Sequence, residues 1–147
     1  MKLRMSEPFM PAPDYGRSLT GLSLNLLVHN IEEAVRFQRD VLRVTVVYSD
    51  PDFAVLRGYG SEWMLHADHA YEKHPLRGLI AGVEGRGAGI ELRLHGCDPD
   101  NAEAAARAHG FHVLAPAADK PHGLREAFLM DAAGYVWVPD VLLKVST

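Results

Sequence analysis

Disulfide bonds are the first feature that this sequence excludes. Its 147 residues contain one cysteine, Cys97, so no internal disulfide can form. A chain without disulfides suits a reducing compartment, and we predict the cytoplasm. No apolar run approaches the roughly 20 residues of a membrane-spanning helix, and the N-terminal stretch lacks the apolar segment of a secretion signal. The sequence therefore predicts neither a membrane protein nor a secreted one.

Clustered positive charge is missing as well. Lys and Arg total 15 against 19 Asp and Glu, which gives a net charge of -4, and no basic run occurs. Proteins that bind nucleic acids usually carry Lys and Arg on one face, so we expect no nucleic-acid partner. The hydrophobic content of 48% and the charged content of 23% are typical of a globular protein, and the length suits a single core.

Residues 21–67 predict a strand, a helix and three further strands. The stretch "LSLNLLVHN" alternates as a strand does. Asn30, with Glu33 three positions later, forms a capping box at the start of a helix with an apolar stripe. Three runs rich in β-branched and aromatic residues follow, "VTVVYS", "FAVLRGY" and "EWMLHA", and Pro and Gly turns separate them.

The same order of elements returns in residues 89–143. The strand "GIELRLHG" is followed by a helix that Asp98 caps, with Pro99 in its first turn and Gly110 at its end. "FHVLAPA" and the hairpin "LREAFLMDAAGYVWVPD" supply three more strands. The remaining segments are predicted as an extended N-terminal arm (1–20), a polar, Gly-rich linker (68–88) and a C-terminal tail (144–147).

The repeated βαβββ order carries a resemblance to a known group of proteins. With the "DAAG" turn before the final strand "YVWVPD", and "HGLREAF" ahead of it, the chain resembles the vicinal-oxygen-chelate superfamily of glyoxalases, bleomycin-resistance proteins and extradiol dioxygenases. The resemblance implies an α+β fold in which each module contributes half of a curled mixed sheet, and the halves form a cup. It also implies a homodimer, since many members build their cups from two chains.

Strand alternation predicts which side chains line the cup. If the aliphatic residues of "GIELRLHG" pack on the helices, then Glu91, Arg93 and His95 face the cup. A four-residue turn at 131–134 would pair Met130 with Tyr135 and place Arg125 in the cup. An apolar lining with a few charged groups is typical of a small-molecule site. The predicted ligand-binding residues are Asn25, Phe53, Met64, His66, Glu91, Arg93, His122, Arg125 and Val138.

The resemblance also implies where a divalent metal would bind. The metal ligands of the superfamily come from four strand positions, which here hold Ser23, Met64, Glu91 and Val138. Only Glu91 offers an anionic ligand, whereas zinc and iron sites need three or four donors, so we predict no metal and no other cofactor. A metal bound through unusual ligands would use His66, Glu91, His122 or Asp140.

Three functions fit these observations. We favour a small-molecule-binding protein of the glyoxalase/bleomycin-resistance type that holds its ligand in a metal-free cup. The first alternative is a metal-dependent lyase, isomerase or dioxygenase of the same superfamily. The second is a metal-independent enzyme in which Glu91 is the catalytic base, with His66 or His122 as its partner. The sequence leaves the identity of the ligand open.

Overall fold

The computed structural model describes residues 1–144, so residues 145–147 of the predicted tail lie outside the described residues. The first part of the chain forms α1 (Ala12–Ser18), β1 (Asn25–Val28), α2 (Ile31–Asp40), β2 (Thr45–Ser49), β3 (Phe53–Gly58) and β4 (Ser61–Ala67). A short 3-10 helix (Asp68–Ala70) and α3 (Arg77–Ile80) follow. The last part forms β5 (Leu92–His95), α4 (Pro99–Ala108), β6 (His112–Asp119), β7 (Leu124–Met130) and β8 (Val136–Leu142).

The strands form two four-stranded sheets of the same topology. Their orders are β1-β4-β3-β2 and β5-β8-β7-β6. In each sheet one pair is parallel, β1 with β4 and β5 with β8, and the other pairs are antiparallel. The predicted α+β fold of two βαβββ modules with mixed, open sheets is confirmed. Within residues 1–144, no helix has both the length and the apolar character that a bilayer crossing requires.

Both long helices begin at the residues that the sequence indicates. The Asn30 side chain accepts a hydrogen bond from the Glu33 amide at 2.9 Å, which satisfies one free donor at the start of α2. Asp98 accepts from the amides of Asp100 and Asn101 at the start of α4. The chain leaves α4 through Gly110, whose φ of 78° is readily adopted by glycine.

The helix-facing sides of both sheets pack into one continuous core. Trp63 of β4 and Trp137 of β8 lie with ring centroids 5.5 Å apart, and Phe37 of α2 meets Phe111, just before β6, at 5.0 Å. Each sheet therefore turns its opposite, concave face away from this shared core. We call these two surfaces the first and the second concave face.

The predicted linker is held against both modules. The amides of Arg86 and Gly87 donate to the carbonyl oxygens of Ala133 and Gly134 in the β7–β8 turn. The buried Arg86 side chain donates to the carbonyl oxygen of Leu27, at 3.0 Å, and to Asp68. This segment is thus part of the packed structure.

The N-terminal arm is folded back, and the prediction that it is extended was wrong. Residues Ala12–Ser18 form α1, with a proline in the first turn, where the missing amide hydrogen costs no helical hydrogen bond. The Tyr15 ring of α1 packs on Phe53 of the first concave face, with ring centroids 5.7 Å apart. Because α1 is too short to be stable alone, it depends on tertiary contacts such as this one.

The strand predicted at residues 89–96 is shorter than expected. It begins at Leu92, and Ile90 is 53% exposed, so the prediction that Ile90 packs on the helices was wrong. Gly89 adopts a φ of 87°, and the Ile90 amide donates to the carbonyl oxygen of Gly87. This turn holds Ile90 outside the sheet.

The predicted pairing of β7 with β8 was wrong by one residue. Met130 pairs with Val136 and not with Tyr135, because the loop contains only residues 132–134 and the Asp131 amide donates to the carbonyl oxygen of Tyr135. A shift of one residue turns every side chain of a strand to its other face. Glu126 therefore lies on the second concave face, and the predicted cup position of Arg125 was wrong.

Replacing Gly87 with alanine should destabilise the protein. A Cβ at this position would lie 2.7 Å from the Tyr135 Cα and 3.0 Å from the Gly134 carbonyl oxygen, both backbone atoms. We expect Gly87→Ala to lower the free energy of unfolding by about 1–3 kcal/mol, the usual cost of overpacking. Urea denaturation of both proteins measures this difference.

Gly85→Ala is the matched control, since a Cβ there would meet nothing within 4 Å. It should change the free energy of unfolding by less than about 0.5 kcal/mol. Equal effects of the two variants would contradict the packing of the linker on the β7–β8 turn.

Candidate functional site

A pocket of about 380 Å³ lies between the N-terminal arm and the first concave face. Phe53 of β3, with Met64 and His66 of β4, forms its floor because these side chains point away from the shared core. Phe9 and Tyr15 of the arm form its roof. The volume falls within the range of about 300–1,000 Å³ that is typical of small-molecule sites.

A buried carboxylate fastens the arm over this pocket. Asp52, which is 1% exposed, accepts hydrogen bonds from the Leu3 amide at 2.7 and 2.9 Å and from the Arg4 amide at 2.9 Å. The His69 imidazole bonds to the same carboxylate at 2.8 Å. Burial alone would raise the pKa of Asp52, but the hydrogen bonds from Leu3, Arg4 and His69 outweigh burial and hold this pKa below its usual value.

Aromatic rings form a connected wall around the pocket. The Phe9 ring lies 5.7 Å from Tyr15, which in turn lies 5.7 Å from Phe53. Phe53 then meets His66 at 4.6 Å, and His66 meets Tyr71 at 4.8 Å. All these centroid distances fall in the range that favours ring packing. The pocket therefore presents ring faces and edges to a ligand.

His66 supplies a neutral polar group in this aromatic surrounding. Burial above all, together with the charges of Lys2 and His74, lowers the pKa of His66 to about 4. Its Nδ1 bonds to the carbonyl oxygen Oδ1 of Asn25, so Nδ1 carries the proton and Nε2 keeps a lone pair. His66 can therefore accept a hydrogen bond from a ligand at neutral pH.

The second concave face carries an ionic network. Arg93 donates to Glu126 at 2.8 Å and to Asp140 at 3.2 Å, and both carboxylates are buried. His95 bonds to Asp140, and His122 bonds to Glu126, each at 2.8 Å. Each buried carboxylate therefore contacts Arg93 and a histidine, so hydrogen bonds and ion pairs satisfy both carboxylates within the network.

The structure brings the predicted ligand-binding residues together in two groups. Asn25, Phe53, Met64 and His66 lie at the arm-covered pocket, as hydrogen-bond partner or lining. Glu91, Arg93 and His122 belong to the second concave face. No hydrogen bond or ion pair joins the two groups within the described part of the chain. The ligand-binding roles of these residues stay predictions.

Glu91, the predicted catalytic base, lies at an open position. It is one residue before β5, its side chain is 50% exposed, and it contacts Arg93 at 3.2 Å. Val138 is fully buried on the concave side of β8. Arg125 lies on the helix side, where it binds Asp100 of α4 and Asp119 of β6. Its side chain therefore faces away from both groups.

Several residues of the two surfaces were absent from the sequence prediction. Glu126 was missed because its face depends on the length of the β7–β8 loop. Asp131 was the available signal for a tight turn there, since its side chain accepts hydrogen bonds from the amides of Ala133 and Tyr135. The arm residues Phe9 and Tyr15 were missed because nothing local indicates where an arm folds back. Their aromatic side chains in a Pro-rich stretch are the one signal for a docked segment.

The donor set does not fit a divalent metal. At the four positions implied by the superfamily, only Glu91 carries a charge, and the Arg93 cation already binds it. Among the residues 1–144, no group of three or more His, Cys, Asp or Glu side chains is placed to hold a metal ion. The unusual ligands are divided: His66 lies at the pocket, whereas Asp140 and His122 belong to the ionic network.

The low pKa of His66 gives a measurable pH dependence. The unfolded chain protonates this side chain near pH 6.5, but the folded protein does so at about 4. Its contribution to the free energy of unfolding is therefore complete above pH 6.5 and falls as the pH drops from 6.5 to 4. The His66→Asn variant should lose less stability than the wild type between pH 7 and pH 5.

Urea denaturation at both pH values tests this difference, and NMR of the imidazole protons tests its cause. The His66 resonance, assigned by its loss in the variant, should titrate with a midpoint of about 4. A midpoint near 6.5 would show that the pocket does not exclude water from this ring.

Comparison with solved structures identifies the fold. A glyoxalase/bleomycin resistance protein/dioxygenase from Nocardioides is 24% identical over 92% of this chain and 95% of its own, with a TM-score of 0.61. A family enzyme of the same description from Burkholderia phytofirmans PsJN is 21% identical over 82% and 97%, with a TM-score of 0.66. The fosfomycin resistance protein FosX from Listeria monocytogenes is 12% identical over 84% and 93%, with a TM-score of 0.61.

No protein-family model and no curated protein sequence matches the chain. The solved structures are similar in fold over most of their length and differ widely in sequence. The predicted resemblance is confirmed at this level: the chain has the fold of the vicinal-oxygen-chelate superfamily.

Proposed function

We propose that the protein binds a small organic molecule in the pocket beneath its N-terminal arm, without a metal and without changing the molecule chemically. The observation that carries this proposal is the pocket itself, about 380 Å³ with an apolar and aromatic lining and a few polar groups. Such a composition is the usual one for ligand sites, in which apolar area supplies affinity and polar groups fix orientation.

The arm makes this pocket a more effective binding site. An open sheet face leaves most of a ligand in water, whereas Phe9 and Tyr15 cover the ligand from the side opposite Phe53. Binding free energy rises with the apolar area removed from water, at about 25 cal/mol per Å². A covered pocket therefore holds a small ligand more strongly than the bare face of the sheet.

The alternatives have less support. A metal-dependent enzyme needs donors that the four superfamily positions lack, and the one carboxylate there binds Arg93. An enzyme with Glu91 as base needs a nearby acid, but His66 belongs to the other group and His122 binds Glu126.

The proposal includes the cytoplasmic location that the single cysteine predicts.

We also propose that the chain forms a homodimer through the second concave face. This face carries an ionic network whose carboxylates are buried, and large apolar side chains of the same module are exposed, including Ile90 and Leu142. Removal of exposed apolar side chains from water favours association. In many superfamily members two chains build the cup together, which supports the same arrangement here.

The ligand proposal is tested by isothermal titration with a panel of one- and two-ring organic compounds, after treatment of the protein with a chelator. We expect saturable binding of at least one compound, with one site per chain, and recovery of the compound unchanged. Phe53→Ala should weaken that binding at least tenfold because it removes the ring that connects Tyr15 to His66.

Phe128→Ala is the control, since Phe128 is a partly exposed residue of β7 in the other module. It should leave the affinity within about twofold. Loss of binding on chelation, or conversion of the compound, would contradict the proposal.

The dimer is tested by light scattering on a sizing column. The wild type should elute with twice the chain mass of 16.2 kDa. Leu142→Glu, at the exposed end of β8, should yield the monomer because it places a charge in the proposed interface. Leu79→Glu alters an exposed leucine of the linker, 72% exposed against 84% for Leu142, and should leave the dimer intact. A monomeric wild type would disprove this proposal.

A further inference from the structure

We propose that the ligand is a planar aromatic carboxylate, with its ring system between Phe53 and the arm and its carboxylate at the Lys2 and Arg4 side chains. This inference rests on the proposed function, because it names the class of molecule that the same pocket accepts. Three features support it: the charge of the lining, the arrangement of the rings and the polar group of His66.

The lining carries uncompensated positive charge. Lys2 and Arg4 both line the pocket, and within residues 1–144 Lys2 has no carboxylate within 4.0 Å. Arg4 lies 4.0 Å from Asp50, the limit of an ion pair. Among the described residues of the lining Asp52 is the one carboxylate, and its negative charge offsets one of the two positive charges of Lys2 and Arg4. The charge that remains for a ligand is positive.

The Asp50 carboxylate cannot fully compensate Arg4. Asp50 accepts from the Tyr48 hydroxyl at 2.5 Å and from the amides of Asp52 and Phe53 at 2.7 and 2.9 Å. These shorter bonds determine its position in the β2–β3 turn. A ligand carboxylate could approach Arg4 more closely than Asp50 does and could form the paired hydrogen bonds that guanidinium groups favour.

The rings favour a flat molecule over a branched aliphatic one. Phe53 and His66 lie 4.6 Å apart with an interplanar angle of 39°, and both line the pocket. Tyr15 and Tyr71 meet these two rings nearly edge-on, at interplanar angles of 78° and 64°. A planar ring can stack on the first pair while it receives the edges of the second.

His66 adds a preference for a hydroxyl group on the ligand ring. Its Nδ1 is bonded to Asn25, and its Nε2 has no protein partner in the described part of the chain. A neutral imidazole nitrogen with a lone pair accepts a hydrogen bond from a ligand O–H. Aromatic acids with a ring hydroxyl should therefore bind more tightly than the same acids without one.

Isothermal titration with charge-matched probes tests the inference, on protein with any affinity tag at its C-terminus so that Lys2 keeps its place. The probes are 1-naphthoate, neutral 1-naphthamide, cationic 1-naphthylmethylammonium, a hydroxynaphthoate and non-aromatic cyclohexanecarboxylate. We expect 1-naphthoate to bind about fivefold or more tightly than the amide, as one partly exposed ion pair allows. The cation should bind most weakly of the three naphthalenes, and the hydroxyl should improve affinity.

Two lysine variants separate charge from packing. Lys2→Met keeps the length of the side chain and should weaken 1-naphthoate about fivefold while leaving 1-naphthamide unchanged. Lys120→Met, which alters a lysine next to β7 in the other module, should leave both affinities unchanged. Urea midpoints equal to that of the wild type would show that both variants fold normally.

The outcomes distinguish this inference from the proposed function. If no naphthalene probe binds but another compound of the panel does, this inference fails and the proposed function stands; if no compound binds at all, both fail. If the amide or the ammonium binds as tightly as 1-naphthoate and Phe53→Ala weakens that binding, the protein binds small molecules but the anionic class is wrong. If cyclohexanecarboxylate binds as tightly as 1-naphthoate, the requirement for an aromatic ring is wrong.

Discussion

The positions of the two concave faces depend on the core that the two sheets share. The helix-facing side of each module is apolar, and Trp63 and Trp137 join the two sides into one core. A strand that buries one face leaves every second side chain on the other. The pairing of the modules through their helix sides therefore determines that both concave faces are available for ligands and for other chains.

The two concave faces have different properties, because different segments of the chain pack against them. The first face is covered by the N-terminal arm, and its aromatic residues join those of the arm in a single wall. The second face carries an ionic network in which the buried carboxylates of Glu126 and Asp140 share the Arg93 guanidinium. A duplicated fold thus yields one face that forms an apolar pocket with the arm and one face that carries an ionic network.

Much of the fold follows from short-range patterns in the sequence. Asn30 and Asp98 mark both long helices because a capping side chain acts within three residues, and alternation places Phe53, Met64 and His66 on one face of their strands. Such signals depend on neighbours along the chain. This explains why the two modules, and half of the candidate site, could be predicted.

The errors arose where distant contacts decide the structure. The face of Glu126 depends on a loop of residues 132–134, and one residue in its length exchanges Arg125 for Glu126 on the concave side. The position of the arm depends on Asp52, whose partners are backbone amides that any residue could supply. The aromatic residues of the arm indicate a docked segment but not where it docks, so half of the pocket was not predicted.

The buried guanidinium of Arg86 has a consequence for how the two modules behave together. It binds the end of β1 and Asp68, while the next residue, Gly87, is hydrogen-bonded to the turn before β8. Neither half of the chain could rotate about this segment without breaking contacts that the other half supplies. Joint unfolding of the two modules as one cooperative unit is the expected consequence, since a separated half would expose the apolar surface that it buries in the shared core.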